Sequence, residues 1–178
     1  MIEKLDFAAL KSGEASARDI LQRGVLETGF LRVANTSVRK SDTQAVISAY
    51  RSFFKLPEAE KQRVNMALTG SNRGWGAGGA EQVDPKANPD YKEVFDCGFQ
   101  LPEGDALRDS GLLVYGENLW PDTPEGFAAT VQAYYGKAIA LCRELLAEIA
   151  EVIGRDAQYF DGKFSRPMAL LRGNYYPA

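Results

Sequence analysis

The sequence predicts an α+β fold, rich in helix over most of its length and closing on a β-strand. Two patterns carry that prediction. Between Thr123 and Gly154 the apolar residues recur at three- and four-residue steps, the period of a buried helix face. The closing segment RPMALLRGNYYPA alternates instead, with Met168, Leu170, Arg172 and Asn174 on one side and Ala169, Leu171 and Tyr175 on the other. Period two with β-formers suits a half-buried pleated strand. Such a strand needs partners for its N–H and C=O groups, and no residue after Ala178 supplies a hairpin. The segment therefore reads as the first strand of a sheet completed by other residues.

The remaining elements follow in order. ASARDILQRGVLETG places Ala17, Ile20, Leu21, Gly24 and Val25 on one face, with Arg18, Asp19, Gln22 and Arg23 opposite. That predicts a helix ended by Gly29 in the left-handed conformation. FLRVAN follows as a short strand. SDTQ opens a second helix, with Ser41 and Gln44 at capping-box spacing and Val46, Ile47, Tyr50, Phe53 and Phe54 on its buried face. LPEAEKQRV restarts a short helix, with Pro57 in its first turn and Glu58 and Glu60 near its positive end.

From Thr69 to Pro89 periodicity gives way to glycine and proline, which predicts a long loop of the kind that is often functional. DYKEVFDCGFQ returns to strand spacing, with Tyr91, Glu93, Phe95, Cys97 and Phe99 on one side. Thr123 caps the long helix, Pro124 takes its first position and Gly154 follows its end. Its stripe is Phe127, Val131, Tyr134, Ala138, Leu141, Leu145, Ile149 and Val152. At the α-helical rise it should reach about 45 Å.

Composition excludes several function classes. The 178 residues are 45% hydrophobic and 25% charged, ordinary for one globular domain with a sizeable core. A net charge of −3 argues against a nucleic-acid binder, which carries a basic patch. No apolar run is long enough for a membrane span, and MIEKLDFAAL has charges where a signal peptide would need an uninterrupted apolar stretch, so cytoplasmic residence is the expectation. Cys97 and Cys142 belong to no C-x-x-C pair and read as reduced thiols. The chain has no histidine. That removes a His general base, a Ser–His or Cys–His pair, imidazole-bound zinc and two-His-one-carboxylate iron from its own chemistry.

Three local motifs each have a plain alternative. Gly74, Gly76 and Gly79 satisfy G-x-G-x-x-G, but no buried strand precedes them, and Pro85 and Pro89 break any helix that follows. The segment reads as a flexible loop, and in its functional form as a lid with apolar Trp75 at its tip. Glu93 and Asp96 lie close together in YKEVFD but on opposite strand faces, which favours a solvated edge over an acid–base pair. Asn174, Tyr175 and Tyr176 offer an amide and hydroxyls that can bond a small dicarboxylate in a dry pocket. Spacing alone favours ordinary strand aromatics there.

The order of segments adds what spacing does not. LETGFLRVANTSV, AYRSFFKLPEAEK, RGWGAGGAEQVDPKANPDYKEVFDCG, NLWPDTPEGFAATVQAYYGKAIALCRELLAEIAEVIG and LLRGNYYPA run through the whole chain. With the aromatic-rich FF-LP-E-K, the D-KE-F before a glycine, WP before the long helix and the NYYP strand, the chain resembles the N-terminal half of the isopenicillin N synthase-like Fe(II)/2-oxoglutarate-dependent oxygenases.

The resemblance implies the helix-rich N-terminal region of a double-stranded β-helix (jelly-roll) oxygenase. Residues 1–178 would be a single incomplete domain, the N-terminal region occupying about 1–165 and the barrel beginning at about 166–178. Asn174 and Tyr176 match the positions of the family's Asn-Tyr-Tyr-Pro motif that help hold 2-oxoglutarate. The segments around Trp75 and Phe95 correspond to ones that flank the substrate pocket. The family's iron ligands, a His-x-Asp pair and a later His, and the Arg-x-Ser pair that grips the distal carboxylate have no counterpart here. The Asn-His-Gly common after the first strand is Asn35-Thr36-Ser37.

Fe(II) and 2-oxoglutarate are thus implied for the complete protein and neither is expected on this chain alone. The expected function is the N-terminal portion of an oxidoreductase that oxidises a small organic substrate with dioxygen, without a nucleic-acid or membrane partner. The alternative is a non-catalytic homologue that engages a protein through its terminal strand. An incomplete sheet also implies self-association or a complementing C-terminal polypeptide.

Overall fold

The structure is a computed structural model that describes residues 2–79 and 91–177. Its regular elements are β1 (Lys4–Asp6), α1 (Phe7–Lys11), α2 (Ala15–Arg23), β2 (Arg32–Ala34), α3 (Lys40–Phe54), α4 (Glu58–Gln62), β3 (Gly74–Gly76), β4 (Glu93–Gly98), α5 (Phe127–Val152) and β5 (Leu170–Tyr175). Short 3₁₀ turns sit at Met66–Leu68, Arg108–Ser110 and Leu113–Tyr115. The chain divides into two compact units, Met1–Lys40 with Gly136–Ser165, and Ser41–Tyr135 with Arg166–Ala178.

In the first unit β1 pairs in parallel with β2, Leu5 opposite Val33, and α1 and α2 form the crossover that parallel neighbours require. Asp6 caps α1 by accepting a 3.1 Å bond from the Ala9 N–H. α2 runs into a wider π-type turn over Gly24–Thr28, which Gly29 ends at φ 70°, as predicted. Leu5, Phe7, Leu10, Ala17 and Leu21 form the core, packed by Ile20, Val25, Leu31 and Val33 and by Leu141, Leu145, Ile149 and Val152 of α5. Outside, Glu148 pairs with Lys11 at 3.2 Å and Arg18 at 3.1 Å, and Arg18 also pairs with Glu151.

The second unit holds an antiparallel sheet in the order β3-β4-β5. Val46, Tyr50, Phe53 and Phe54 of α3 pack against it with Phe127 and Val131 of α5. Phe95 of β4 is fully buried at the centre, 4.9 Å from the Phe53 ring, 5.0 Å from Phe127 and 6.1 Å from Tyr50, mostly edge-on. Edge-to-face pairs of this kind each add about 0.5–1.5 kcal/mol beyond area burial.

Several boundaries differ from expectation for local reasons. α5 begins at Phe127 rather than Thr123, because Gly126 stands at φ 75° and a left-handed residue cannot continue an α-helix; its 26 residues span about 39 Å. α3 begins at Lys40, which puts Ser41 inside its first turn, and Ile47 lies at the rim of the buried stripe and is largely exposed. Pro57 precedes α4 instead of entering it. The predicted loop contains β3, where Gly74 at φ 104° has room for no Cβ against the Val64 carbonyl, the oxygen that accepts the Trp75 N–H at 2.8 Å. Residues 80–89 of that loop, with Pro85 and Pro89, lie outside the described residues.

Candidate functional site

The two neighbouring strands β4 and β5 carry the residues of interest. Register places Glu93 opposite Tyr175, Val94 opposite Asn174, Phe95 opposite Gly173 and Asp96 opposite Arg172. One face of this pair, with Phe95, Cys97, Leu171, Gly173 and Tyr175, turns to the aromatic core. Gly173 is required there: a Cβ would stand 2.5 Å from the Tyr50 ring. Burial pushes the Cys97 thiol up to about 12 and raises the Tyr50 hydroxyl as well.

The other face is covered at β4 and open at β5. Val94 and Asp96 are buried, whereas Leu170, Arg172 and Asn174 are exposed and Tyr176, just beyond the strand, is 67% exposed. Asp96, with no exposed surface at all, accepts two parallel bonds from Arg172, Nε to Oδ1 at 2.8 Å and Nη2 to Oδ2 at 2.7 Å. Among the described residues, neither the Asn174 side-chain amide nor the Tyr176 hydroxyl is engaged in a hydrogen bond. The open face thus presents the Asn174 amide and, just beyond the strand, the Tyr176 phenol, donors suited to a carboxylate, while the Arg172 guanidinium is turned to Asp96.

Trp75 and Phe95 have different surroundings from those expected. Trp75 is not at a loop tip: it lies on β3, 2% exposed, and its indole N–H donates to Glu93 Oε2 at 2.7 Å. The same oxygen accepts the Lys61 ammonium at 2.6 Å, and that ammonium also sits 5.3 Å from the Trp75 ring. Phe95 is locked in the aromatic core. Glu93 and Asp96 do lie on opposite faces, but neither forms a solvated edge; each is a desolvated partner of a cation. The Gly74–Gly79 segment places its first two glycines in a strand paired with β4, so it is not a phosphate cradle between strand and helix.

Arg73, which the sequence reading passed over, is 2% exposed. Its plane packs on Gly98, where a Cβ would collide with it, and its Nη2 donates to the Val114 carbonyl at 2.7 Å. Burial lowers its pKa from the ordinary arginine value. Asn118 ties the adjoining loop to β4, accepting from the Gly98 N–H at 2.8 Å and donating to the Gly98 carbonyl at 2.9 Å. An arginine at the start of a strand and an acid inside an apolar one were the available signals for these groups.

A centre of two imidazoles and one carboxylate does not fit this chain, which has no histidine. Among the described residues no three or more Cys, Asp or Glu side chains gather as a metal site. Nor is any helix among them long and apolar enough to cross a membrane. In the first unit, cavities of about 450 Å³, lined by Arg143, Leu146 and Phe160 among others, and about 380 Å³, lined by Leu21, Leu31 and Leu145 among others, contain none of Trp75, Phe95, Asn174 and Tyr176.

The family described as non-haem dioxygenase in morphine synthesis N-terminal matches residues 2–123. A homoarginine-6-hydroxylase of Arabidopsis thaliana is 29% identical over 166 residues, covering 93% of this chain and 49% of the relative. A full-length Neurospora crassa protein, solved in complex with α-ketoglutarate, superposes with a TM-score of 0.78 at 26% identity, covering 98% of this chain and 54% of that one. A 2OG-Fe(II) oxygenase family protein from Caulobacter crescentus shares the fold at a TM-score of 0.86 and 22% identity, over 99% of this chain and 56% of that one. The chain spans about half the length of the curated relatives it matches.

Proposed function

This chain belongs to the non-haem dioxygenase N-terminal family, and from that premise we propose that it serves as the N-terminal portion of a cytoplasmic Fe(II)/2-oxoglutarate-dependent oxidoreductase. Residues 166–178 begin the barrel, and a metal-binding half like that of the relatives completes the centre. In such an enzyme the oxo acid is consumed with dioxygen while a small organic substrate is oxidised. The part of this chain is to bind and orient. The Asn174 amide and the Tyr176 hydroxyl donate hydrogen bonds to the oxo acid, and the segments around Trp75 and Phe95 flank the substrate. Trp75 and Phe95 themselves hold those segments in place through the core.

The observation that carries this reading is the open face of β5, where two donors without intramolecular partners among the described residues stand in line on a strand whose other face is anchored. The relatives support it: the Neurospora crassa protein is solved with α-ketoglutarate, and again with α-ketoglutarate and thymine, and the Arabidopsis relative is a homoarginine hydroxylase. The test is succinate release. This chain alone with Fe(II) and 2-oxoglutarate should release none and should not hold iron stoichiometrically. Supplied with the metal-binding half of the Arabidopsis relative, in cis or in trans, it should release succinate, and Asn174→Ala with Tyr176→Phe should suppress that. Turnover by this polypeptide alone would contradict the reading.

One observation favours a second reading, a protein-interaction module. β5 ends its sheet, and its outer edge pairs with no strand among the described residues. A concentration-dependent dimer by light scattering, abolished by Arg172→Pro or Asn174→Pro, would favour that reading.

A further inference from the structure

The second half of α5 serves two neighbours. Leu141, Leu145, Ile149 and Val152 enter the core of the first unit. Arg143 and Leu146, three residues apart and so adjacent on the helix surface, line the cavity of about 450 Å³, together with Phe160, Asp161, Phe164 and Ser165. That volume lies within the range of roughly 300–1,000 Å³ typical of small-molecule sites. The segment that follows the helix is held in shape by its own contacts. The Phe160 carbonyl accepts the N–H groups of Lys163 and Phe164, each at 3.0 Å, and the Gln158 carbonyl accepts that of Asp161 at 3.0 Å. The Phe160 ring meets Tyr159 at 4.9 Å and Phe164 at 6.1 Å, edge-on to both. Arg143 Nη2 donates to the Phe164 carbonyl at 3.0 Å, which ties this segment to α5 and fixes the guanidinium. Two unlike charges thus line one cavity beside three apolar side chains. Among the described residues, Arg143 makes no ion pair and keeps its other N–H groups, and the Asp161 carboxylate has no hydrogen-bond or ion-pair partner. Opposite charges that share a cavity without pairing suit a ligand that carries both.

We propose that this cavity binds a free amino acid with an apolar side chain, Arg143 taking its carboxylate, Asp161 its ammonium, and Leu146, Phe160 and Phe164 its side chain. A guanidinium already held by the Phe164 carbonyl loses little freedom when a carboxylate docks on its remaining edge. The aromatic walls add edge-to-face contacts for an aromatic side chain. The site uses no residue of β4 or β5, so it stands or falls apart from the reading of Asn174 and Tyr176.

The test is a nuclear magnetic resonance titration of the isotope-labelled 178-residue chain with L-phenylalanine. Separate titrations use 3-phenylpropionate, which lacks the ammonium, and phenethylamine, which lacks the carboxylate. L-Phenylalanine should shift the Arg143 Nε–Hε signal and the Asp161 and Phe164 backbone amides saturably, with a dissociation constant about 10-fold below that of either probe. Arg143→Gln should weaken L-phenylalanine and 3-phenylpropionate about 10-fold and leave phenethylamine unchanged. Asp161→Asn should weaken L-phenylalanine and phenethylamine by a similar factor and leave 3-phenylpropionate unchanged. Equal affinity for L-phenylalanine and either probe overturns the proposal, because one of the two charges is then not read. Signals at these residues that do not shift saturably overturn it too. Both substituted positions are exposed, and the wild-type comparison of the three compounds decides the matter even where a variant fails to fold.

Discussion

β4 and β5 are six-residue neighbours in one sheet, joined rung by rung, yet they do different work. β4 is covered on both faces, so each of its side chains must be apolar or paired: Phe95 and Cys97 enter the aromatic core, and Asp96 takes Arg172. β5 is covered on one face, so Leu170 and Asn174 on the other are released from packing, while Arg172 between them is turned to Asp96. The strand that is anchored twice carries stability, and the strand that is anchored once can carry recognition. Gly173 and Tyr175 hold β5 in place, which leaves Asn174 between them free of any structural duty.

The contrast can be broken at several points. Phe95→Ala should have the largest effect, about 3–5 kcal/mol by urea denaturation, because it empties the centre of an aromatic cluster. A loss below about 1 kcal/mol would show that β4 is not the anchored strand. Arg172→Ala should follow at about 2–3 kcal/mol, since it strands a carboxylate that has no exposed surface. Restoration of stability by Asp96→Leu in the same chain would show that the loss comes from the abandoned acid.

Cys97 gives a smaller effect with a definite pH window. Its folded pKa, about 12, lies above the ordinary 9.0, so above pH 9 the unfolded thiol gives up a proton that the folded one keeps. Stability should be complete below pH 9 and fall as pH rises towards 12, by up to about 1.4 kcal/mol per pH unit. Urea midpoints at about pH 8, 9 and 10 should show a shallower decline in Cys97→Ala; an identical decline would place the titrating group elsewhere.

Much of this architecture was legible before any coordinates. α2, α5 and β5 are long enough, or regular enough, for their periodicity to name both the element and its buried face, and Gly29 ends its helix as expected. β1 and β3 were not legible, because three residues hold too little of a period-two pattern, and in Gly74–Gly76 two of the three have no side chain. The same glycines made Trp75 look like a loop tip. Alternation correctly sent Glu93 and Asp96 to opposite faces, but it does not reveal that both faces of β4 are covered. Asn174 and Tyr176 stood out through order and alternation. Arg172 did not, because its meaning comes from a partner 76 positions earlier that only strand register brings beside it.

The smallest expected change in stability falls at the residue assigned the most direct contact with ligand. Calorimetric titration of 2-oxoglutarate into the chain joined to the metal-binding half of the Arabidopsis relative, with and without Asn174→Ala and paired with the thermal midpoints, tests that division of labour. The account predicts affinity weakened about 10-fold with stability altered by no more than about 0.5 kcal/mol. Undiminished affinity, or a loss of stability matching that of Phe95→Ala, would contradict it.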